Sequence, residues 1–173
     1  GDRAYGLIDQ VTGKVASAKL PRKWGKLLNC RSTFIEPPVL GQPLPPVRIT
    51  LPDGTLVTSE HDQVHALLSQ ILQREVTLTT TRPEAPSLER LDALAAEETI
   101  LDIGALMMQG RFSDYAAIHL MTTATLERLN EIYPQGRFEV RRFRPNLVVT
   151  PPPHQKGFVE NDWVGKTLAI GDE

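Results

Sequence analysis

Apolar residues that alternate with polar ones, or that form brief continuous runs, occur near the start of the chain and are typical of β-strands. Prolines crowd residues 37–46 and favour an irregular connection there, because proline lacks the N–H that a strand donates. Two alternating runs, 47–51 and 55–58, flank Asp53 and Gly54, and Asp-Gly between such runs predicts a hairpin. Further strands are predicted in this part over residues 4–8, 14–18 and 27–35.

Apolar residues spaced three and four apart predict the helices. Ser59 is the predicted N-cap of a helix that runs to about residue 74. A short helix is predicted over 88–94. Thr123 is predicted to cap a third helix, which Pro134 and Gly136 end.

The remaining apolar runs predict strands over residues 75–80, 118–121, 138–150 and 167–170. Strands therefore dominate both ends of the chain, with two or three helices between them. This order favours the α+β class, with a mostly antiparallel sheet or barrel that is interrupted by an inserted helical part.

The composition of the 173 residues limits the classes of function. Hydrophobic residues make up 40% and charged residues 23%, as in an ordinary globular protein. Lys and Arg total 19 and Asp and Glu total 21, and the resulting net charge of −2 argues against a bulk polyanion such as nucleic acid as the partner. The one cysteine excludes an intramolecular disulfide and a multi-thiolate metal site, and it favours a reducing compartment such as the cytoplasm. No run approaches the roughly 20 apolar residues of a membrane-spanning helix.

Three patterns look like known sites but lack the partners that those sites need. His61 and His65 have the helical spacing of a zinc-protease pair, but Asp62 stands in the place of the general-base glutamate and no third ligand follows. Residues 165–167 match the end of a phosphate-binding P-loop but lack its first glycine. Cys30 lies in an apolar run without a neighbouring histidine, as a core thiol does. We therefore predict no metal site.

Arginines concentrate in the predicted strand 138–150. Because side chains alternate between the faces of a strand, Arg142, Arg144 and Asn146 would share the face that the apolar residues turn to the core. Buried guanidinium groups are costly unless an anion meets them, and phosphate or carboxylate does so with two hydrogen bonds. The alternative is a bulge near Pro145 that turns the arginines to solvent or to a nearby glutamate. The spacing alone leaves both open.

Two further elements are candidates for binding the same anion. Thr122 and Thr123 lie where a predicted strand gives way to a helix, so hydroxyls and free backbone N–H groups can converge there. Arg3 precedes an apolar strand and is another candidate inward cation. The basic turn 19–26 is more typical of a solvated loop than of a ligand or nucleic-acid contact.

Four stretches of the chain carry a resemblance to a known family. They are Gly1-Asp2-Arg3-Ala4-Tyr5-Gly6-Leu7-Ile8-Asp9 with Ser17-Ala18-Lys19, Ile118-His119-Leu120-Met121-Thr122-Thr123-Ala124-Thr125-Leu126, Phe143-Arg144-Pro145-Asn146-Leu147-Val148-Val149, and Phe158-Val159-Glu160-Asn161-Asp162-Trp163 with Ile170-Gly171-Asp172. In this order they resemble a MOSC-domain protein, a family named after the C-terminal domain of the molybdenum cofactor sulfurases and shared with the mitochondrial amidoxime-reducing component. The resemblance spans essentially the whole chain and includes the MOSC N-terminal β-barrel region.

The resemblance implies a pterin-based molybdenum cofactor (Mo-molybdopterin), which is held by its phosphate and pterin in a barrel cleft. It assigns a cofactor contact to Arg3, which matches the arginine of the family's Asp-Arg opening. It assigns a hydroxyl contact to Thr122, with Thr123 beside it. Arg144 and Asn146 match the cofactor contacts of the family's Arg-Pro-Asn segment.

The resemblance also implies a domain organisation. Residues 1–35 and 115–173 correspond to portions of a MOSC-type β-barrel, and residues 36–114 correspond to an inserted α+β lobe. The family carries a Lys-Ser pair before the Asp-Arg opening and an Arg-Cys segment, with the metal's thiolate ligand, after the Ile-Gly-Asp strand. The 173 residues of this chain contain neither the Lys-Ser pair nor the Arg-Cys segment, and Cys30 does not match the thiolate ligand. The chain is therefore expected to be the interior of a longer protein.

The implied function is the body of a molybdenum-dependent oxidoreductase that reduces N-hydroxylated or related N–O and S–O compounds. The alternative is a sulfur-carrier or cofactor-delivery module that binds molybdopterin without reductase activity, and a third reading is a non-catalytic anion-binding barrel. We expect a small-molecule substrate, an electron-transfer protein as a further candidate partner, no nucleic acid and no membrane span.

Overall fold

A computed structural model describes residues 3–92, 97–103, 112, 116 and 118–171 of the chain. The chain divides into two units, Gly1–Tyr115 and Ala116–Glu173. The elements of the first unit are, in order, β1 (Gly6–Asp9), α1 (Pro21–Trp24), a 3₁₀ helix (Gly25–Asn29), β2 (Arg31–Phe34), β3 (Val47–Thr50), β4 (Leu56–Thr58), α2 (Val64–Leu72), β5 (Val76–Thr79), β6 (Ser87–Leu91) and β7 (Glu98–Asp102). Those of the second unit are β8 (Leu120–Thr122), α3 (Thr123–Ile132), α4 (Val140–Phe143), β9 (Leu147–Val149) and a 3₁₀ helix (Val159–Trp163).

Most strand pairs are antiparallel. β1 pairs with β5 and β6 pairs with β7, and Val15 links these two pairs because it bridges both Ile8 and Leu88. β2, β3 and β4 form a three-stranded antiparallel sheet in that order, whereas β8 and β9 pair in parallel. The structure therefore confirms a mixed α and β fold with several antiparallel sheets.

The main core of the first unit is aliphatic, with one tryptophan at its edge. In β3, Val47 and Ile49 are buried and Arg48 between them is exposed, as the two-residue period of a strand requires. α2 buries an aliphatic stripe at every fourth position, which confirms the predicted amphipathic helix. The buried residues of this core are Leu20, Trp24, Val47, Ile49, Leu51, Val57, Val64, Leu68, Leu72 and Val76. Residues from within 36–114 thus share a core with Leu20 and Trp24, while their assignment to a separate lobe stays a prediction.

The predicted hairpin is present between β3 and β4. Gly54 has a φ of 88°, a left-handed conformation that glycine adopts without a steric penalty. The Oδ1 atom of Asp53 accepts a hydrogen bond from the backbone N–H of Thr55 at 2.9 Å, as aspartate often does in turns. Local turn chemistry therefore suffices to set this connection.

Two helix predictions in the first unit are wrong. The helix predicted over residues 88–94 is replaced by strand β6, which spans Ser87–Leu91. Leu94, the last leucine of that prediction, lies outside the described residues. Leucines three apart favour a helix, because in a strand they lie on opposite faces. Pairing with β7 nevertheless makes this segment a strand, in which Leu88 is buried and Leu91 is exposed. Ser59 does not cap α2, since its Oγ accepts a hydrogen bond from the backbone N–H of Val47 at 3.0 Å.

Three strand predictions are wrong in extent or in kind. The predicted strand 14–18 reduces to the bridging residue Val15. The predicted strand 27–35 begins only at Arg31, because α1 and a 3₁₀ helix precede it. Residues 167–170 form no strand in the structure. A short apolar run does not by itself show whether the backbone forms a strand or an irregular segment, because that depends on a pairing partner elsewhere in the chain.

The ammonium group of Lys23 lies at the junction of β1, α1 and β6. Its Nζ is 2.8 Å from Asp9 Oδ2 and 2.6 Å from Glu89 Oε2. The side chains of Lys23 and Asp9 are 13% and 3% exposed, so burying either charge without its partner would destabilise the fold. The three residues therefore fix α1 against the two strands.

Asp9 gathers further hydrogen bonds at the end of β1. Its carboxylate accepts from the backbone N–H of Val11 at 3.1 Å and from the hydroxyl of Thr12 at 3.0 Å. Burial alone would raise the pKa of Asp9, but the hydrogen bonds from Lys23, Val11 and Thr12 outweigh it and hold the pKa below its ordinary value. Burial likewise works to lower the pKa of Lys23, while its bonds to Asp9 and Glu89 raise it above the ordinary value.

The first prediction concerns this buried network. Lys23→Met keeps the unbranched apolar stem of the side chain, removes the ammonium group and leaves two carboxylates without their cation. We expect a loss of about 3 kcal/mol in the free energy of unfolding, measured by urea denaturation at neutral pH. Lys26→Met, at an exposed position in the adjacent 3₁₀ helix, is the matched control and should change stability by less than about 0.5 kcal/mol. Similar losses in both variants would contradict the role of the network.

Candidate functional site

Thr122 is the residue at which β8 ends and α3 begins. Its backbone is extended, and its Oγ accepts a hydrogen bond from the backbone N–H of Thr125 at 3.1 Å, so it is the N-cap of α3. The predicted cap, Thr123, is instead the first helical residue and is half-buried. Thr122 is fully buried, which places its polar groups inside the second unit.

A carboxylate of the protein itself occupies the N-terminal end of α3. Oε1 of Glu160 accepts a hydrogen bond from the backbone N–H of Thr122 at 2.5 Å. Oε2 of Glu160 accepts a hydrogen bond from the hydroxyl of Thr125 at 2.5 Å. The positive end of a helix dipole favours a negative charge at this position. Of the groups that the sequence predicted for an external anion, the backbone N–H of Thr122 is thus bound to Glu160.

The environment of Glu160 keeps its carboxyl group ionised. Partial burial by itself would raise its pKa. The hydrogen bonds from Thr125 and Thr122 favour the charged form and outweigh burial, so the pKa of Glu160 lies below its ordinary value. The link between the 3₁₀ helix Val159–Trp163 and the start of α3 is therefore a charged one at neutral pH.

Asn146, the residue before β9, is hydrogen-bonded to His119, the residue before β8. Its Oδ1 accepts a hydrogen bond from the backbone N–H of His119 at 2.8 Å. Its own backbone N–H donates to the carbonyl of His119 at 2.7 Å. The side chain of Asn146 therefore sets the start of the parallel pair β8–β9, in which Leu120 lies opposite Leu147.

The backbone around Arg144 contradicts the predicted strand 138–150. Residues Val140–Phe143 form a helical turn, α4, and the strand begins only at Leu147. Arg142, Arg144 and Asn146 are exposed, so the core-facing alternative is wrong and the alternative in which the arginines turn to solvent is confirmed, with a helical turn in place of the expected bulge. Side chains do not alternate between two faces here, because the helical turn α4 and the left-handed residue Arg144 interrupt the extended backbone.

Two of the predicted arginines have a strained backbone. Arg3 has a φ of 53° and Arg144 a φ of 52°, in the left-handed region that non-glycine residues seldom adopt. Within the described residues, Gln73 is the one other non-glycine residue with a positive φ. Arg3 lies in the first unit and Arg144 in the second. Strain of this kind costs about 1–3 kcal/mol and concentrates at functional sites.

A cavity of about 450 Å³ opens beside Glu160 in the second unit. This volume is within the range of small-molecule sites. Its walls are mainly apolar and include Leu120, Trp163 and Leu168, with Lys166 as a cation. Among the described residues that line it, Glu160 is the member that also contacts the start of α3.

Sequence reasoning missed the role of Glu160 and of His119. Glu160 is 35 residues from Thr125 along the chain, and nothing in its local sequence indicates that it binds a helix end. His119 acts through its backbone, which carries no residue-type signal.

The other sequence candidates serve local structure. His61 Nδ1 accepts a hydrogen bond from the backbone N–H of Gln63, and His65 Nδ1 accepts one from Leu78, each at 3.1 Å. Cys30 is half-buried, and burial raises the pKa of its thiol. The described residues contain no group of three His, Cys, Asp or Glu side chains that could hold a metal ion. None of the helices in that part of the chain has both the length and the apolar character to cross a bilayer.

No protein-family model, curated protein or solved structure matches the chain. The resemblance to the MOSC-domain family therefore stays a prediction. Gly1, Asp2 and Asp172, which belong to its quoted stretches, lie outside the described residues. The geometry of the remaining residues carries the functional argument.

The second prediction concerns Glu160. Glu160→Gln removes the charge and one acceptor, and we expect it to lower the free energy of unfolding by about 2 kcal/mol at neutral pH. Because the folded-state pKa of Glu160 lies below its ordinary value of 4.5, the stabilisation is present above that value and is lost as the pH falls through the folded pKa. Urea denaturation across this range should show the difference between parent and variant shrinking in acid.

Glu127→Gln is the matched control for this experiment, since Glu127 is exposed on α3, the helix whose N-terminal end Glu160 binds. It should change stability by less than about 0.5 kcal/mol at every pH. A loss in Glu160→Gln that persists undiminished in acid, or that the control reproduces, would contradict the role assigned to Glu160.

Proposed function

We propose that this protein is the cofactor-binding body of a MOSC-type molybdenum oxidoreductase, in which Arg144 binds the phosphate of molybdopterin. The observation that carries the proposal is the left-handed backbone at Arg144 and Arg3. The family resemblance assigned cofactor contacts to these two arginines from motif residues alone. The strain is an independent property of the backbone, and it coincides with that assignment.

A left-handed conformation at a non-glycine residue costs about 1–2 kcal/mol, and it persists when the surrounding structure requires it. At Arg144 the surroundings are well defined. Its backbone N–H donates to the carbonyl of Val140 at 3.2 Å, which closes the turn of α4. Pro145 and the hydrogen-bonded Asn146 follow directly. The turn therefore presents the guanidinium group from a fixed backbone.

The available donors differ in how well they suit a phosphate. The guanidinium of Arg144 is exposed and offers the planar fork that a phosphate binds with two hydrogen bonds. Thr122 does not suit a direct contact in this arrangement, because its N–H and Oγ are bound to Glu160 and Thr125. We assign Thr122 and Asn146 a positioning role, and Thr123, the first residue of α3, remains a candidate hydroxyl contact.

The cofactor, when bound, supplies the two-electron chemistry, and the residues of this chain bind and orient it. The substrates in this proposal are N-hydroxylated or related N–O and S–O compounds, with an electron-transfer protein as a partner and the cytoplasm as the location. The finer fold that it requires is a β-barrel, to which β1–β5 and β6–β7, linked through Val15, would contribute strands.

The third prediction tests the cofactor contact. The full protein, expressed in a host that makes molybdopterin, should retain the pterin, which is measured by the fluorescence of its oxidised form. Arg144→Ala should reduce the retained pterin by about tenfold or more, as expected for the loss of a hydrogen bond to a charged group. Arg141→Ala, which removes a neighbouring exposed arginine of α4, should leave the pterin content unchanged. Equal retention in the two variants would overturn the proposal.

Arg144→Gly separates binding from folding. Glycine adopts a positive φ without penalty, so this variant should be at least as stable as the parent in urea, with a gain of about 1 kcal/mol. It should nevertheless lose the pterin as Arg144→Ala does. Retention of pterin together with the gain in stability would show that the guanidinium does not bind it. Retained pterin without reductase activity in the parent would favour a delivery module over an enzyme.

A further inference from the structure

A basic concavity of about 190 Å³ lies on the first unit, between α1 and the end of α2. Its walls include Arg22, Lys23 and Lys26 from the basic turn and Arg74 from the residues that follow α2. No carboxylate is among the described residues that line it. Cations far apart in sequence thus meet around one opening, which the basic turn alone did not indicate.

Two of these cations are already neutralised. Lys23 is bound to Asp9 and Glu89, and Arg22 Nη2 lies 2.5 Å from Glu98 Oε1. Lys26 and Arg74 are both exposed, and neither has a carboxylate partner within the described part of the chain. They are the two cations of the concavity whose charge is left for a ligand.

Buried Trp24 lies close to two of the cations that line the concavity. Trp24 is 1% exposed, and its ring lies 5.3 Å from Lys23 Nζ and 5.8 Å from Arg74 Cζ. The last carbonyls of α2 at Ser69 and Gln70 accept hydrogen bonds from the backbone N–H groups of Arg74 and Gln73. The negative end of α2 is therefore capped, which reduces its repulsion of an anion.

We propose that this concavity binds the phosphate dianion of a phosphorylated small molecule. A volume of about 190 Å³ corresponds to roughly six water molecules, which leaves room for one phosphate group with part of its solvent. Arginine supplies a bidentate fork and lysine a point charge, and two cations without carboxylates favour a dianion over a monoanion. The site belongs to the first unit and is independent of the proposed cofactor contact at Arg144.

The fourth prediction tests this site with inorganic phosphate and glycerol phosphate as probes, at about pH 8, where phosphate monoesters are dianionic. Calorimetric titration of the parent should show saturable binding, with sodium chloride at matched ionic strength as the blank. Lys26→Gln and Arg74→Gln should each weaken binding by about tenfold, and the double variant should abolish it. Arg48→Gln, at an exposed arginine of β3 outside the concavity, should bind as the parent does.

The experiment has clear opposing outcomes. Binding of glycerol phosphate that is at least as tight as that of inorganic phosphate supports a phosphorylated small molecule as the ligand. Absence of saturable binding in the parent, or equal binding in the parent and the double variant, would overturn the proposal. The variants at Lys26 and Arg74 should leave the pterin content unchanged whether or not phosphate binds to the concavity. A failure of this proposal is therefore distinguishable from a failure of the proposed function.

Discussion

The ammonium group of Lys23, held between two carboxylates, is the interaction on which the first unit depends. It joins Asp9 at the end of β1 to Glu89 in β6 across the short helix α1. Charges at this depth are destabilising when single and tolerable when paired, so the three elements have one arrangement that satisfies them. Trp24, the residue after Lys23, is buried in the aliphatic core, so it packs α1 against that core beside the ion pairs.

The second unit is organised by a comparable constraint, in which backbone donors take the place of the lysine. Glu160 binds the backbone N–H of Thr122, the N-cap of α3, and the hydroxyl of Thr125, and Asn146 binds the residue before β8. Both ends of the short strand β8 are therefore anchored by side chains from later in the chain. Arg144 lies two residues before Asn146, so the anchoring of β9 also restrains the turn that holds Arg144 in its left-handed conformation.

Prediction from sequence succeeded where the signal is local. The Asp53-Gly54 hairpin, the stripe of α2 and the end of α3 near Pro134 depend on residues within one or two turns of each other. It failed where a distant partner decides the structure, as in β6, which pairs with β7, and in residues 138–150, where α4 interrupts the extended run. The motif at Arg144 was visible in the sequence, and exposure of its arginines was one of two open alternatives, but the helical turn α4 and the left-handed backbone of Arg144 were not predicted. The carboxylate of Glu160 at the start of α3 had no sequence signal.

We propose that the strained turn at Arg144 presents a guanidinium group to the phosphate of a pterin cofactor. A crystal structure of the full protein with molybdopterin bound tests this most directly. We expect the phosphate to lie within hydrogen-bond distance of the Arg144 guanidinium, with Arg144 still at positive φ. A phosphate bound elsewhere, with Arg144 directed into solvent, would contradict it.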